Sequence, residues 1–241
     1  MRFNGKDLGE IHRAVSRSRE FPPGMPAREI TISETGNGGI VANVVTKPDE
    51  YVVRVNIAAK NYEEAEEARE AIAAWALSSG KQTGMLEPKW AKGKAYDAIA
   101  KSISRAEKRF TTVDVTFTLP EPTMYTIEES VQQAEGMTLT ANVGGTAPTE
   151  PVLEISPAED CEDLYIVVNG EMYCVLKGAF TAHHIITIDT KTGEIMLDYQ
   201  HIEERIAYAW CSMETEFVPG ENVIGINTTG TIKARWHDRW L

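Results

Sequence analysis

Few residues in this 241-residue chain have the types and spacing to do chemistry. His183 and His184 are adjacent. Read as strand residues they point to opposite faces, and no further ligand stands beside them at metal spacing. Asp160, Glu162 and Asp163 surround Cys161, but the set positions and glycine turn of a calcium loop are missing, so a solvated loop is the plainer reading. Glu203 and Glu204 are neighbours, whereas glycoside hydrolysis needs two carboxyls facing each other across a bond. No Ser or Cys sits in a recognisable nucleophile context. There is no Walker A or G-x-G-x-x-G segment, and Gly38-Gly39 and Gly144-Gly145 read as turns. Asn227-Thr228-Thr229 matches a glycosylation acceptor, which carries no weight without a secretory signal. The expectation is no catalytic residue, no metal and no cofactor.

Two other groups invite a role. Cys161, Cys174 and Cys211 are odd in number and lack C-x-x-C spacing, so they read as small buried hydrophobes or free thiols. A Cys174–Cys211 disulfide is the alternative. Trp236, Arg239 and Trp240 are of the types enriched at interface hot spots. They are the candidate interface or anchor residues, with capping of a sandwich core as the bland reading and stacking on a sugar as the sharper one.

The bulk numbers narrow the classes. Hydrophobic residues make up 42% and charged residues 25% of the chain, as in ordinary folded proteins. No apolar run approaches the roughly 20 residues that span a bilayer. The segment Met1–Asp7 has neither the apolar core nor the cleavage site of a signal peptide, so synthesis and folding in the cytoplasm are expected. The formal charge of −12 argues against non-specific nucleic-acid binding and against an anionic membrane surface.

The elements that would position these residues are mostly strands. Ile30–Ser33, Gly39–Val45 and Tyr51–Ile57 are β-branched and apolar. One amphipathic helix follows. Asn61 is its N-cap, with Glu64 three residues on; Glu63, Glu64, Glu66 and Glu67 suit the positive end of its dipole. Ala65, Ala68, Ile72, Trp75 and Ala76 share one face, and Gly80 is the stop. Lys92–Lys108 leans to helix by propensity, yet it precedes the alternating strand Thr111–Leu119. Pro120 and Pro122 end that strand. The polar stretch after them places the domain boundary: 1–128, a linker 129–140, then 141–241.

The second part reads as all-β. Leu164–Val168 and Glu171–Leu176 flank Asn169-Gly170, the preferred type I′ hairpin turn. Ile185–Asp189 and Glu194–Asp198 flank Lys191-Thr192-Gly193. At the end come Pro219-Gly220-Glu221-Asn222, an apolar strand to Asn227, a tight turn at Thr228-Thr229-Gly230, and a last strand through Trp240-Leu241. Short strands at roughly 8–12-residue spacing argue for a β-sandwich.

This order resembles the distal tail proteins of siphophages. The resemblance rests on Phe3-Asn4-Gly5, the single helix ending Trp75–Gly80, Leu119-Pro120, and Asn142-Val143-Gly144-Gly145-Thr146-Ala147-Pro148, which has one glycine more than the family's pattern. The Pro219–Asn222 turn and the Trp-Leu end complete it. The alanine-rich 92–108 segment and His237-Asp238 depart from the pattern.

The resemblance implies a mainly β fold: an N-terminal β-sandwich or split barrel with one α-helix, and a C-terminal galectin-like β-sandwich. It also decides for a hairpin over 92–108, turning near Arg105–Lys108. The implied function is structural and non-enzymatic: a tail-tip or baseplate hub of a siphophage or prophage virion. Its implied partners are itself, in a homohexameric ring, the tail tube protein and the tail-associated tip protein; some relatives attach receptor-binding parts to the second domain. A carbohydrate-binding module built on the C-terminal sandwich is the alternative. A hydrolase, resting on scattered Asp, Glu and His, ranks last.

Overall fold

A computed structural model describes residues 1–24, 27–35, 38–105, 111–206 and 215–241. The chain forms two compact units, Met1–Tyr125 with Leu241, and Thr126–Trp240.

The first unit contains β1 (Arg2–Phe3), β2 (Lys6–Asp7), β3 (Val15–Phe21), β4 (Arg28–Thr35), β5 (Gly38–Thr46) and β6 (Asp49–Ile57). Helix α1 (Tyr62–Ala76), β7 (Gly84–Glu87), β8 (Lys94–Arg105) and β9 (Thr112–Leu119) follow, and β10 (Met124–Thr126) ends the segment. A sheet runs β2-β1-β7-β8-β9-β6-β3, while β4 and β5 form a separate two-stranded hairpin. Strand β9 alternates strictly, with Val113, Val115, Phe117 and Leu119 buried. That period of two is what a sheet with one covered face requires.

Helix α1 supplies the cover. The Asn61 side chain accepts from the Glu64 N–H at 2.8 Å, capping an otherwise unpaired donor. Its buried face carries Ala65, Ala68, Ile72, Trp75 and Ala76, as the i, i+3, i+4 spacing predicts. Trp75 stands edge-on to Phe117 at 5.8 Å and to Phe3 at 5.9 Å between ring centroids. Its indole N–H donates to the Lys6 carbonyl at 2.9 Å, so a large ring is buried without an orphaned donor.

Residues 94–105 are strand, not helix, and pair antiparallel with β9. Ala95 and Ala98 are buried beside Tyr96, so these alanines are small residues in a packed sheet. The expected turn near Arg105–Lys108 lies largely outside the described residues.

The second unit contains β11 (Ser130–Val143), β12 (Val152–Pro157), β13 (Leu164–Val168), β14 (Glu171–Leu176), β15 (Ile186–Asp189), β16 (Glu194–Leu197) and β17 (Gln200–His201). A 3₁₀ turn at Glu203–Arg205, the 17-residue β18 (Gly220–Trp236) and β19 (Arg239–Trp240) complete it. The strand order is β14-β13-β18-β12-β15-β16-β17, with β11 also pairing to β18.

Two expectations are corrected here. Residues 129–140 are not a linker: all but the first lie in β11, which pairs along its length with β18. The stretch is polar because β11 turns Val131, Gln133 and Glu135 outward, leaving few apolar residues to mark it as a strand. Nor do Thr228-Thr229-Gly230 divide two strands, since β18 is continuous through them. The glycine serves a close approach instead: a Cβ at Gly230 would lie 2.3 Å from the Ser156 carbonyl oxygen.

The first half of β18 pairs with β13 and the second half with β12, and its register against β11 shifts between Gly136 and Thr138. Residues from both halves, Ile224 and Ile226 with Ile232 and Ala234, share one core. The long β11–β18 ribbon therefore serves both layers of a sandwich. At the β13–β14 turn Asn169 has φ 54° and Gly170 φ 85°, the two positive values a type I′ turn needs.

Candidate functional site

The carboxylates weighed for chemistry hold loops together. Asp160 accepts from the Ala182 N–H at 2.7 Å. Asp163 accepts from Lys177 Nζ at 2.7 Å and the Gly178 N–H at 3.1 Å. These bonds hold the Asp163 carboxyl below its usual range, with Lys177 the main cause. Cys161 is half-buried, and desolvation with Asp160 and Asp163 nearby pushes its thiol pKa up, away from nucleophile character. Cys174 is buried; its candidate partner Cys211 lies outside the described residues.

His183 and His184 are in a turn before β15 rather than in a strand, and His183 has φ 67°. Nδ1 of His184 pairs with Asp198, whose other oxygen accepts from the Ile185 N–H at 2.9 Å. His201 lies between Glu203 (3.0 Å from Nδ1) and Glu194 (3.3 Å from Nε2). Each ring nitrogen there faces a different carboxylate, which ties the β16–β17 edge together. No group of three or more His, Cys, Asp or Glu among the described residues could hold a metal ion.

The three terminal candidates have different places. Trp236 is 2% exposed and meets Phe217 edge-on at 5.8 Å. Its Nε1 donates to Asp238 Oδ1 at 2.8 Å. Arg239 is mostly covered and its guanidinium lies 3.7 Å from Glu150. Trp240 is half-buried in β19. The backbone around them is closely tied: Thr149 Oγ1 donates to the His237 carbonyl at 2.8 Å, and the Thr146 and Ala147 N–H groups donate to the Arg239 carbonyl at 2.8 and 3.1 Å.

Two surface features were not visible in the sequence. Trp90 is 53% exposed, yet its Nε1 donates to the Tyr51 hydroxyl at 3.1 Å, which donates to Glu20 Oε2 at 2.8 Å. Burial and Glu20 raise the Tyr51 pKa far out of reach, so this hydroxyl keeps its proton. In the second unit a shallow depression of about 210 Å³ lies on the outer side of β11, β18 and β12, lined by Gln133, Thr231, Lys233, Glu154, Ser156 and Ile185. Lys233 Nζ binds Glu154 at 2.8 Å, and Thr231 Oγ1 donates to Glu135 at 2.9 Å. The surface is rich in hydrogen-bonding groups and close to charge balance.

Among the described residues the groups weighed for chemistry make structural contacts. Residues 144–240 match the family of siphovirus-type tail components, C-terminal domain. The match covers the C-terminal domain, less than half of the chain. The crystal structure of SPP1 Dit, described as a paradigm of the hub adsorption apparatus in phages infecting Gram-positive hosts, is similar over 100% of this chain and 98% of its own. The TM-score is 0.73 at 14% identity, a likeness of fold. The activated phage P2 baseplate with calcium aligns over 92% of this chain and 91% of that one, with TM-score 0.43 and 11% identity; at that score the likeness carries no argument. No curated protein matches the chain in sequence. The described residues thus have a mainly β fold like that of SPP1 Dit, with one α-helix and a C-terminal sandwich.

Proposed function

We propose that this chain is the hub subunit of a siphophage tail tip, a structural protein without catalytic role. It assembles into a homohexameric ring between the tail tube and the tip or baseplate, and is made in the host cytoplasm before incorporation into the virion tail. The observation that carries this reading is the tail-component match over residues 144–240 on a chain whose full length has the Dit fold.

Self-association has independent physical support in the first unit. Among the described residues hairpin β4–β5 pairs with no other strand, and Ile30 and Ile32 on it are 57% and 60% exposed. An isolated two-stranded hairpin is marginal in water, and exposed apolar side chains on it suit a surface that another copy covers. Different patches meeting head to tail close into a ring when the rotation permits.

The test is the solution mass of the purified full chain by light scattering over a range of concentration and salt. A hexamer, or two stacked hexamers, is expected. A species that remains monomeric at high concentration, and that also fails to form rings with tail tube or tip protein present, refutes the proposal.

A second reading, glycan binding by the C-terminal sandwich, is favoured by the depression along Gln133, Thr231, Lys233 and Glu154, since sugars are held by paired donors and acceptors. A glycan array probed with the full chain tests it: sugar binding lost in K233A supports it, and silence across the array removes it.

A further inference from the structure

We infer that Trp90, with Lys89 and Lys92, forms a docking surface for the outward stripe of helix α1 on a second copy of this chain. The inference rests on the ring proposal and deepens it by naming the two faces that meet.

Trp90 is an unusual exposed aromatic because its orientation is fixed from beneath. The chain of donors from Trp90 to Tyr51 to Glu20 is joined by the Lys89 N–H, 3.1 Å from Glu20 Oε2. Lys89 Nζ also donates to Ser18 Oγ at 3.0 Å. The β7–β8 loop is thereby tied to β3 and β6. A tryptophan held in place loses little freedom when a partner covers it, and such residues dominate interface energies. Beside it is a depression of about 280 Å³ whose lining includes Arg2, Lys89 and Lys92 together with Asp7 and Glu87. The three cations are exposed and the two carboxylates half-buried, so the outermost rim is basic on a chain of net charge −12.

The complementary face is on α1. Its buried side is taken up by the sheet. Opposite to it, Glu63, Glu67, Glu70, Ala74 and Leu77 follow at i, i+4, i+7, i+11 and i+14, and all five are exposed. That spacing makes one stripe about 21 Å long. The stripe has two parts: three glutamates, then Ala74 and Leu77, the latter 58% exposed. His12 lies 3.7 Å from Glu67 and leaves the stripe acidic overall. Glutamates suit the lysine rim and the Ala74–Leu77 end suits the indole. Charge and apolarity are thus complementary between two distinct patches of one chain, which makes the contact heterologous.

The full chain and its charge reversals provide the test, with mass read by native mass spectrometry and folding by circular dichroism. K89E/K92E and E67K/E70K are each expected to lower the ring population at least tenfold at low salt, and W90A to do so without any charge change. Mixing the two reversed variants restores rings, because every acidic rim then finds a basic stripe and every basic rim an acidic one. Wild-type rings that persist in all three variants overturn the inference and leave the ring proposal standing. Loss of rings without rescue on mixing, in variants that remain folded, also overturns it. A wild-type chain that forms no ring alone or with tube and tip proteins defeats the ring proposal and this inference with it.

Discussion

The Gly144 N–H donates to Oδ1 of Asp238 at 2.8 Å, across 94 residues of sequence. The same oxygen accepts from Trp236 Nε1. The double glycine at 144–145 and the dipeptide His237-Asp238 meet here. Gly145, with φ 83°, lies so close to Arg239 that a Cβ would be 2.0 Å from its carbonyl oxygen.

Asp238→Ala strands two donors, one of them on a buried indole. Lost hydrogen bonds to a charged group, with a donor left unmet, cost about 2–4 kcal/mol. Chemical denaturation of D238A is expected to show an unfolding free energy lower by that amount, with D238N intermediate. An unchanged unfolding free energy would contradict the assigned role of the carboxylate.

Glycine replacements separate close approach from turn formation. Gly230→Ala drives a methyl into the Ser156 carbonyl, whereas a Cβ at Gly225 meets nothing nearer than 3.9 Å. G230A is expected to destabilise by about 1–3 kcal/mol and G225A by much less. Thermal melts of both variants check this, and equal losses would contradict the packing account.

At the helix start, Asn61→Ala removes the acceptor for the Glu64 N–H. The expected loss is about 1 kcal/mol, read from denaturant curves. Asn61→Asp should keep most of it.

The β16–β17 edge should respond to pH. Its contacts to Glu203 hold the His201 pKa above the ordinary 6.5, and His201 holds Glu203 below 4.5. The raised histidine contributes stability that is full below 6.5 and lost as pH rises through its folded value. The lowered Glu203 contributes above 4.5 and loses its share as pH falls through its folded value. Their joint contribution is therefore greatest between 4.5 and 6.5 and, because both groups are exposed, modest. Comparing melting temperatures of the chain and H201Q across pH 4 to 8 should show the largest gap in that window; a constant gap would contradict the linkage.

By itself the sequence determined the features whose causes are local. Asn61 and the alanine-tryptophan face specify the helix, because capping and 3.6-residue periodicity act within a few turns. Asn169-Gly170 specifies its hairpin, because only certain residues take two successive positive φ values cheaply. Tertiary structure alone decided the rest. Residues 94–105 have helical propensity and become a strand because β9 and β7 pair with them. Residues 130–143 show little apolar signal and become a strand because β18 offers matching partners. Gly230 looks like a turn residue and is a point of contact with Ser156. Trp236 is core and Trp90 is surface, a distinction set by what packs against each ring across dozens of residues rather than by the neighbours each has in the chain.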